Sequence, residues 1–309
     1  MNAARIMFRA GMAAWLLAFA SGCRRPEQVA LYPPPAGSGE FAMMFFNLDH
    51  FALADRDGDG QADDFKPDGE VDALVAVIAR ARPAILAVQE VGDDEALRHL
   101  QTRLHEAGHR LDYRSFLPPK DAPTGLGLLS RFPLVDHSPA SPFTYSIRER
   151  ALAVQRGFQH VEVNLPEGRS LRIVHAHLKS KDFHEAGQTE MRRNEARLLA
   201  TYVRRIQREF PDAPLLVCGD FGDHPGSGTL RDIFTWSPKT MMELSVADAH
   251  GDRWTYFSRR EHAYFHTSTI LANPALASRH LKEKSMIIRD PRVAGASDHR
   301  PVVAAFRIW

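Results

Sequence analysis

Between residue 41 and the C-terminal Trp309, short apolar runs alternate with stretches in which apolar residues recur every three or four positions. Runs at 41–48, 85–88, 127–129, 158–163, 171–174, 215–218, 269–272 and 302–308 predict strands, being short and bounded by polar or turn residues. Val71, Leu74, Val75 and Ile78 keep helical spacing, and Pro83 marks the stop. Leu199, Tyr202, Val203 and Ile206 do the same, with Pro211 just beyond. Strands outnumber helices and are spread along the whole chain. That distribution predicts an α/β (α+β) protein, two packed sheets flanked by helices in one domain over residues 41–309.

Composition narrows the picture. A chain of 309 residues with 44% hydrophobic and 25% charged content can bury a full core, so disorder across most of its length is excluded. Twenty Gly and 20 Pro without a fixed repeat exclude collagen-like and solenoid folds. The 39 basic residues nearly balance the 38 acidic ones, and no basic run of five occurs, so strong non-specific DNA binding is not indicated.

The first 23 residues read as an export address. Arg5 and Arg9 supply a positive start, residues 12–20 a short apolar segment, and Ser21, Gly22 and Cys23 a small-residue close. The apolar segment is too short to span a bilayer comfortably. Ser21-Gly22-Cys23 resembles a bacterial lipobox, with Ala20 where Leu is usual. Lipidation at Cys23 is therefore expected, ahead of plain secretion or an uncleaved anchor. The expected location is the bacterial cell envelope, at the outer membrane or in the periplasm. Residues 24–40, rich in Pro and Gly, read as a tether. Cys218 then has no intramolecular partner and reads as a core thiol.

Four polar clusters directly follow apolar runs: Asn47-Leu48-Asp49, Gln89-Glu90, Gly219-Asp220-Phe221 and Ser297-Asp298-His299. Strands deliver such ends to a shared edge. His175 and His177 fall at alternate strand positions and share a face. Carboxylates, an amide and imidazoles are the inventory for holding a hard divalent cation and moving protons.

In order along the chain stand N-x-D (Asn47, Asp49), V-Q-E (Val88 to Glu90), L-L-S-R-F-P (Leu128 to Pro133), R-G (Arg156, Gly157), H-L-K-S-K (His177 to Lys181), G-D-F (Gly219 to Phe221) and S-D-H-R-P-V (Ser297 to Val302). This ordered set, covering residues 41–308, resembles the endonuclease/exonuclease/phosphatase superfamily, the DNase I-like fold. The resemblance implies a four-layer sandwich of two mixed β-sheets flanked by helices, with a cleft between the sheets' upper edges. It implies Mg2+ or Mn2+ held chiefly by Glu90, with Asn47, Asp49 and Asp298 nearby. It gives Asp220 the attacking water, and His299 and His177 the phosphate. Lys179 and Arg156 are expected phosphate contacts.

Two positions depart from that pattern. Gly222 stands where the family has an amide after G-D-F, and Ser268 aligns with the aspartate that pairs with the final histidine. His299 is therefore expected to lack a carboxylate partner, and the rate to be reduced. His262, His266 and Asp223 are the residues near enough in sequence to compensate. Asp55, Asp57, Asp59 and Asp63, with Gly60 at the sixth position, form the first half of a calcium loop that ends in Lys66 rather than glutamate. Ca2+ is an optional second cation there. His175 reads as a satisfied strand histidine.

A metal-dependent phosphodiesterase of the envelope is the leading expectation, with nucleic acid as substrate and a monomer without a protein partner. The alternatives are a lipid or sugar phosphodiesterase and a catalytically impaired lipoprotein that binds phosphate or a partner. No exposed aromatic hairpin of the kind that enters a membrane stands out in the sequence.

Overall fold

The computed structural model describes residues 30–234 and 240–309. Cys23 and the export segment lie outside the described residues, as does the tether before Ala30. In chain order come β1 (Glu40–Phe51), α1 (Asp68–Ala81), β2 (Ile85–Val91), α2 (Asp94–Glu106), β3 (Tyr113–Leu117), β4 (Gly125–Ser130), β5 (Leu134–Asp136), β6 (Thr144–Ile147), β7 (Arg150–Ala153), β8 (Phe158–Leu165) and β9 (Arg169–His177). Then follow α3 (Gln188–Glu209), β10 (Leu215–Asp220), α4 (Arg231–Phe234), β11 (Met242–Glu243), β12 (Tyr256–Ser258), β13 (Ala263–Phe265), β14 (Ser268–Ala272), α5 (Pro274–Ala277), β15 (His280–Ile287) and β16 (Val302–Arg307).

Two six-stranded sheets face each other, in the orders β15-β16-β1-β2-β4-β3 and β11-β14-β10-β9-β8-β5. β1 and β2 pair in parallel, as do β9 and β10, and the remaining ladders are antiparallel. Strand alternation makes the layers. Phe41, Met43 and Phe45 of β1 enter the core between the sheets, while Met44, Phe46 and Leu48 pack under α1 and α2. On the second sheet, Leu216 and Cys218 face inward, and Leu215 and Val217 face α3. Helices, sheet, sheet and helix therefore stack as the expected four-layer sandwich.

α2 carries no proline stop, but Asp93 caps it by accepting the Ala96 N–H, and Leu97, Leu100 and Leu104 bury its inner face. The stretch read as a tether is seated on the domain from Tyr32 onward. Its hydroxyl donates to Asp290 at 2.5 Å, and the Arg80 guanidinium lies 4.7 Å from the ring centre. The spacer reading of residues 24–40 is corrected for this part, because Tyr32 and Ala36 pack against the core beneath α1 and α2. No helix among the described residues is long and apolar enough to cross a membrane.

At the upper edge, polar side chains join the sheets. His175 is buried between Gln89 of β2, 2.6 Å from its Nε2, and Gln159 of β8, 3.1 Å from its Nδ1. Gln159 then donates to the carbonyl and hydroxyl of Ser115 on β3. Burial drives His175 down to about 3, so the ring is neutral, able to accept at one nitrogen and donate at the other. The reading of His175 as a satisfied strand histidine fits this placement.

Candidate active site

The ends of both sheets meet at one cleft, whose walls include Asp49, His50, Glu90, His177, Lys181, Asp220, Tyr256, Asp298 and His299. Regular alternation would not have aimed all of these inward. The ladder of β1 with β2 slips between Asn47 and Phe51, and that of β2 with β4 between Gln89 and Val91. Asp49, His50 and Glu90 take positive φ values of 50°, 55° and 61° inside these irregularities. Such bulges bend a strand and re-aim its side chains, at a local cost that the surrounding sheet holds in place.

Asn47 donates to Glu90 Oε1 at 3.0 Å and accepts the Asp49 N–H at 3.0 Å. The His50 N–H donates to Glu90 Oε2 at 3.0 Å. Ligand atoms of Asp49, His50 and Glu90 all lie within 4.8 Å of one another. Burial raises the Asp49 carboxyl, but its hydrogen bond from His50 and the charges of Lys66, His50 and His299 outweigh that and leave it below the ordinary value. Lys66, the twelfth position of the acidic loop, is buried and donates to the Asp49 carbonyl at 2.7 Å. Burial and the nearby Asp49 and Glu90 charges push Asp298 up to about 6. The Asp49 and Glu90 carboxylates with the adjacent Asn47 amide fit a hard divalent ion.

On the opposite wall, the Asp220 carboxylate accepts the Gly222 N–H at 2.8 Å and the Thr267 hydroxyl at 3.3 Å. Its Oδ2 also lies 3.1 Å from His299 Nδ1, a close contact set outside hydrogen-bond angles. The expectation that His299 lacks a carboxylate is corrected. Ser268 aligns with the family aspartate, but Asp220, its partner on the paired strand, brings a carboxylate to the ring. His299 Nε2 lies 3.4 Å from Asn47 Nδ2, and Tyr256 stacks on the ring at 4.7 Å. Ser297 fixes the turn by donating to the Asn47 carbonyl and accepting the His299 N–H. His177 is buried at the end of β9, opposite Asp220 in the parallel register. Burial drives it well below its ordinary value, with Arg156 and His299 adding to the effect, so it is a neutral donor or acceptor.

Gly222 has φ +68°, and a Cβ there would sit 2.7 Å from the Lys179 carbonyl and 3.0 Å from Arg192 Cδ. The missing amide thus coincides with a backbone that leaves no room for a side chain. Lys179 and Arg156, expected on the phosphate, do not line the cleft. Lys179 is buried with Nζ 3.1 Å from its neighbour Ser180, and Arg156 is buried with two nitrogens lacking hydrogen-bond partners among the described residues. Lys181 and Arg260 line the cleft instead. The strand ends at His177, so the next residues leave the ladder and alternation no longer tells which lysine turns inward. The three compensating candidates also stay outside the lining. Asp223 accepts the Thr229 hydroxyl at 2.7 Å and pairs with Arg192 at 3.5 Å, His262 is exposed, and His266 is pushed down to about 4 by burial.

In the acidic loop, Asp55, Asp57 and Asp59 come within 4.8 Å of one another, but Asp63 does not join them. Asp64 takes its place in folding the loop, accepting the N–H groups of Arg56 and Asp57. An aromatic hairpin, absent from the sequence reading, is present as β12–β13. It carries Tyr256, Phe257, Tyr264 and Phe265, with Tyr264 well exposed. His50, Tyr256, Arg260 and Thr267 are among the site residues the sequence does not announce. His50 and Tyr256 depend on local backbone paths that no periodicity reveals.

The profile of the Endonuclease/Exonuclease/phosphatase family matches residues 44–299. The chain belongs to this family. Its members are hydrolases of phosphoester bonds and generally use divalent metals. No curated protein sequence matches the chain. Among solved structures, the fold is shared with an endonuclease/exonuclease/phosphatase from Beutenbergia cavernae, at TM-score 0.62 and 20% identity, covering 87% of this chain and 71% of that one. It is shared with the human Nocturnin catalytic domain with bound sulfate, at TM-score 0.59 and 21% identity, covering 87% and 94%. It is also shared with truncated Caenorhabditis elegans TDP2, at TM-score 0.57 and 17% identity, covering 87% and 98%.

Proposed function

We propose that this protein is a divalent-metal-dependent phosphodiester hydrolase of nuclease type, exported and held at the cell envelope by lipid on Cys23. The observation that carries the catalytic part is the meeting of Glu90, Asp49, Asp220, Asp298 and His299 in one cleft from distant parts of the chain. Glu90 and Asp49, with Asn47 and Asp298 adjacent, would hold Mg2+ or Mn2+. When bound, the ion supplies Lewis-acid stabilisation of charge developing on a phosphate oxygen.

The remaining work falls to side chains. Asp220 is fixed by the Gly222 N–H and Thr267, so its carboxylate can orient a water and accept its proton. His299, facing Asp220 and clamped by the Tyr256 ring, is placed to donate to a phosphate oxygen. Neutral His177 can donate a second hydrogen bond without adding charge. Lys181 and Arg260 supply the cations that draw an anionic substrate to the cleft.

The test is hydrolysis of plasmid DNA, RNA, a bis-aryl phosphodiester and sphingomyelin by the mature protein. Chelation should abolish turnover and Mg2+ or Mn2+ restore it. Glu90→Gln and His299→Ala should each lower the rate at least about 100-fold while remaining folded. Turnover that survives chelation, or that survives both substitutions, refutes the assignment. Absence of turnover on all four substrates favours the impaired, phosphate-binding lipoprotein instead. The β12–β13 hairpin beside the cleft keeps a lipid phosphodiesterase as the second reading, to be decided by the sphingomyelin arm.

A further inference from the structure

We infer that His50 is a nitrogen ligand of the divalent ion in this cleft and tilts the site toward Mn2+ over Mg2+. The inference rests on reading the cleft as a metal-dependent site, and neither the family pattern nor strand alternation assigns His50 a role. Alternation along β1 would turn His50 away from Asp49. Instead, consecutive positive φ values of 50° and 55° bring both side chains to the same place. His50 Nδ1 lies 3.2 Å from Asp49 Oδ1 and 3.1 Å from Glu90 Oε2. Its own N–H donates to that same Glu90 oxygen, fixing the backbone from which the ring projects.

Adjacent ligands around an octahedral ion with bonds near 2.1 Å are separated by about 3 Å. The two observed separations match that edge. The ring is more than half exposed, 55%, yet turns its Nδ1 inward to the carboxylates rather than out to water. That nitrogen is engaged by the Asp49 carboxylate, and it is the same atom that would face a bound ion. Oxygen ligands and retained waters suit Mg2+, whereas an imidazole adds affinity for Mn2+ and the heavier first-row ions. A purely ionic role, with the ring as a resident cation between the two acids, predicts the opposite response to its removal.

The probe is Mn2+ alone, added to the mature protein. Electron spin-echo envelope modulation should detect a nitrogen-14 coupling to bound Mn2+, and His50→Ala should remove it. Calorimetric Kd values for Mn2+ and Mg2+ should show the preference for Mn2+ falling by about tenfold or more in His50→Ala and His50→Phe. Thermal melts confirm that both variants are folded. The inference is overturned if wild-type bound Mn2+ shows no nitrogen coupling, if the coupling persists in His50→Ala, or if the variants bind both ions more tightly. Should Mn2+ fail to bind at all, the metal-dependent reading of the cleft falls too, which distinguishes that failure from the others.

Discussion

The sharpest expectation concerns Gly222, where the family pattern invites a side chain and the backbone refuses one. Gly222→Ala meets two costs. A residue with a Cβ at φ +68° carries roughly 1–2 kcal/mol of backbone strain. Placing that Cβ 2.7 Å from the Lys179 carbonyl forces a shift of packed backbone, on the order of 1–3 kcal/mol. Gly168 isolates the first cost, since it has φ +70° and nothing within 4 Å of the added Cβ. At about 2 °C per kcal/mol for a domain of this size, Gly222→Ala should melt roughly 4–10 °C below wild type and Gly168→Ala only about 2–4 °C below. Calorimetric melts of the two variants measure the difference. Because the Gly222 N–H also holds Asp220, hydrolysis should fall in Gly222→Ala and not rise in Gly222→Asn. Equal melts for the two alanine variants, with a faster Gly222→Asn enzyme, would falsify this account.

Three further outcomes follow from buried and half-buried groups. His175→Leu strands the amides of Gln89 and Gln159, so it should cost about 2–4 kcal/mol in denaturant titrations while Mn2+ binding stays intact. Burial raises Glu195 to about 7 from an ordinary 4.5, despite N–H donation from Lys179 and Gln155. The folded state then keeps a proton that the unfolded chain releases, so stability is full below 4.5 and declines as pH rises to about 7; Glu195→Gln should remove that decline, on the order of 3 kcal/mol. Asp298, held up to about 6 by burial, is protonated in acid and charged above it, so Mn2+ affinity should climb across that range and climb less steeply in Asp298→Asn.

The layered fold was readable because strands such as β1 and β10 are apolar on both faces, and burial on both faces is what a sandwich interior demands. The acids and histidines at the strand ends were readable for a related reason: regular backbone runs deliver them to one edge. What failed to show were features made by irregular backbone. His50 joins Asp49 only through a bulge, and Asp220 at the end of β10 reaches His299 only because the turn before β16 of the other sheet comes to the same cleft. Lys181 faces the cleft and Lys179 does not, a choice made after β9 has ended. Gly222 looked like a lost amide because composition cannot report how near the Lys179 carbonyl comes. β15 escaped notice since Lys282, Glu283 and Lys284 interrupt its apolar pattern at the sheet edge.

The chain of amides through His175 has a mechanical meaning for recognition. Glu90 and Asp220 ride on different sheets, and an oily interface alone would let those sheets creep past each other by a fraction of an ångström. Directional bonds from Gln89 to His175 to Gln159 act as a caliper set between the jaws. The gape offered to a phosphate is thereby gauged by the length of one imidazole.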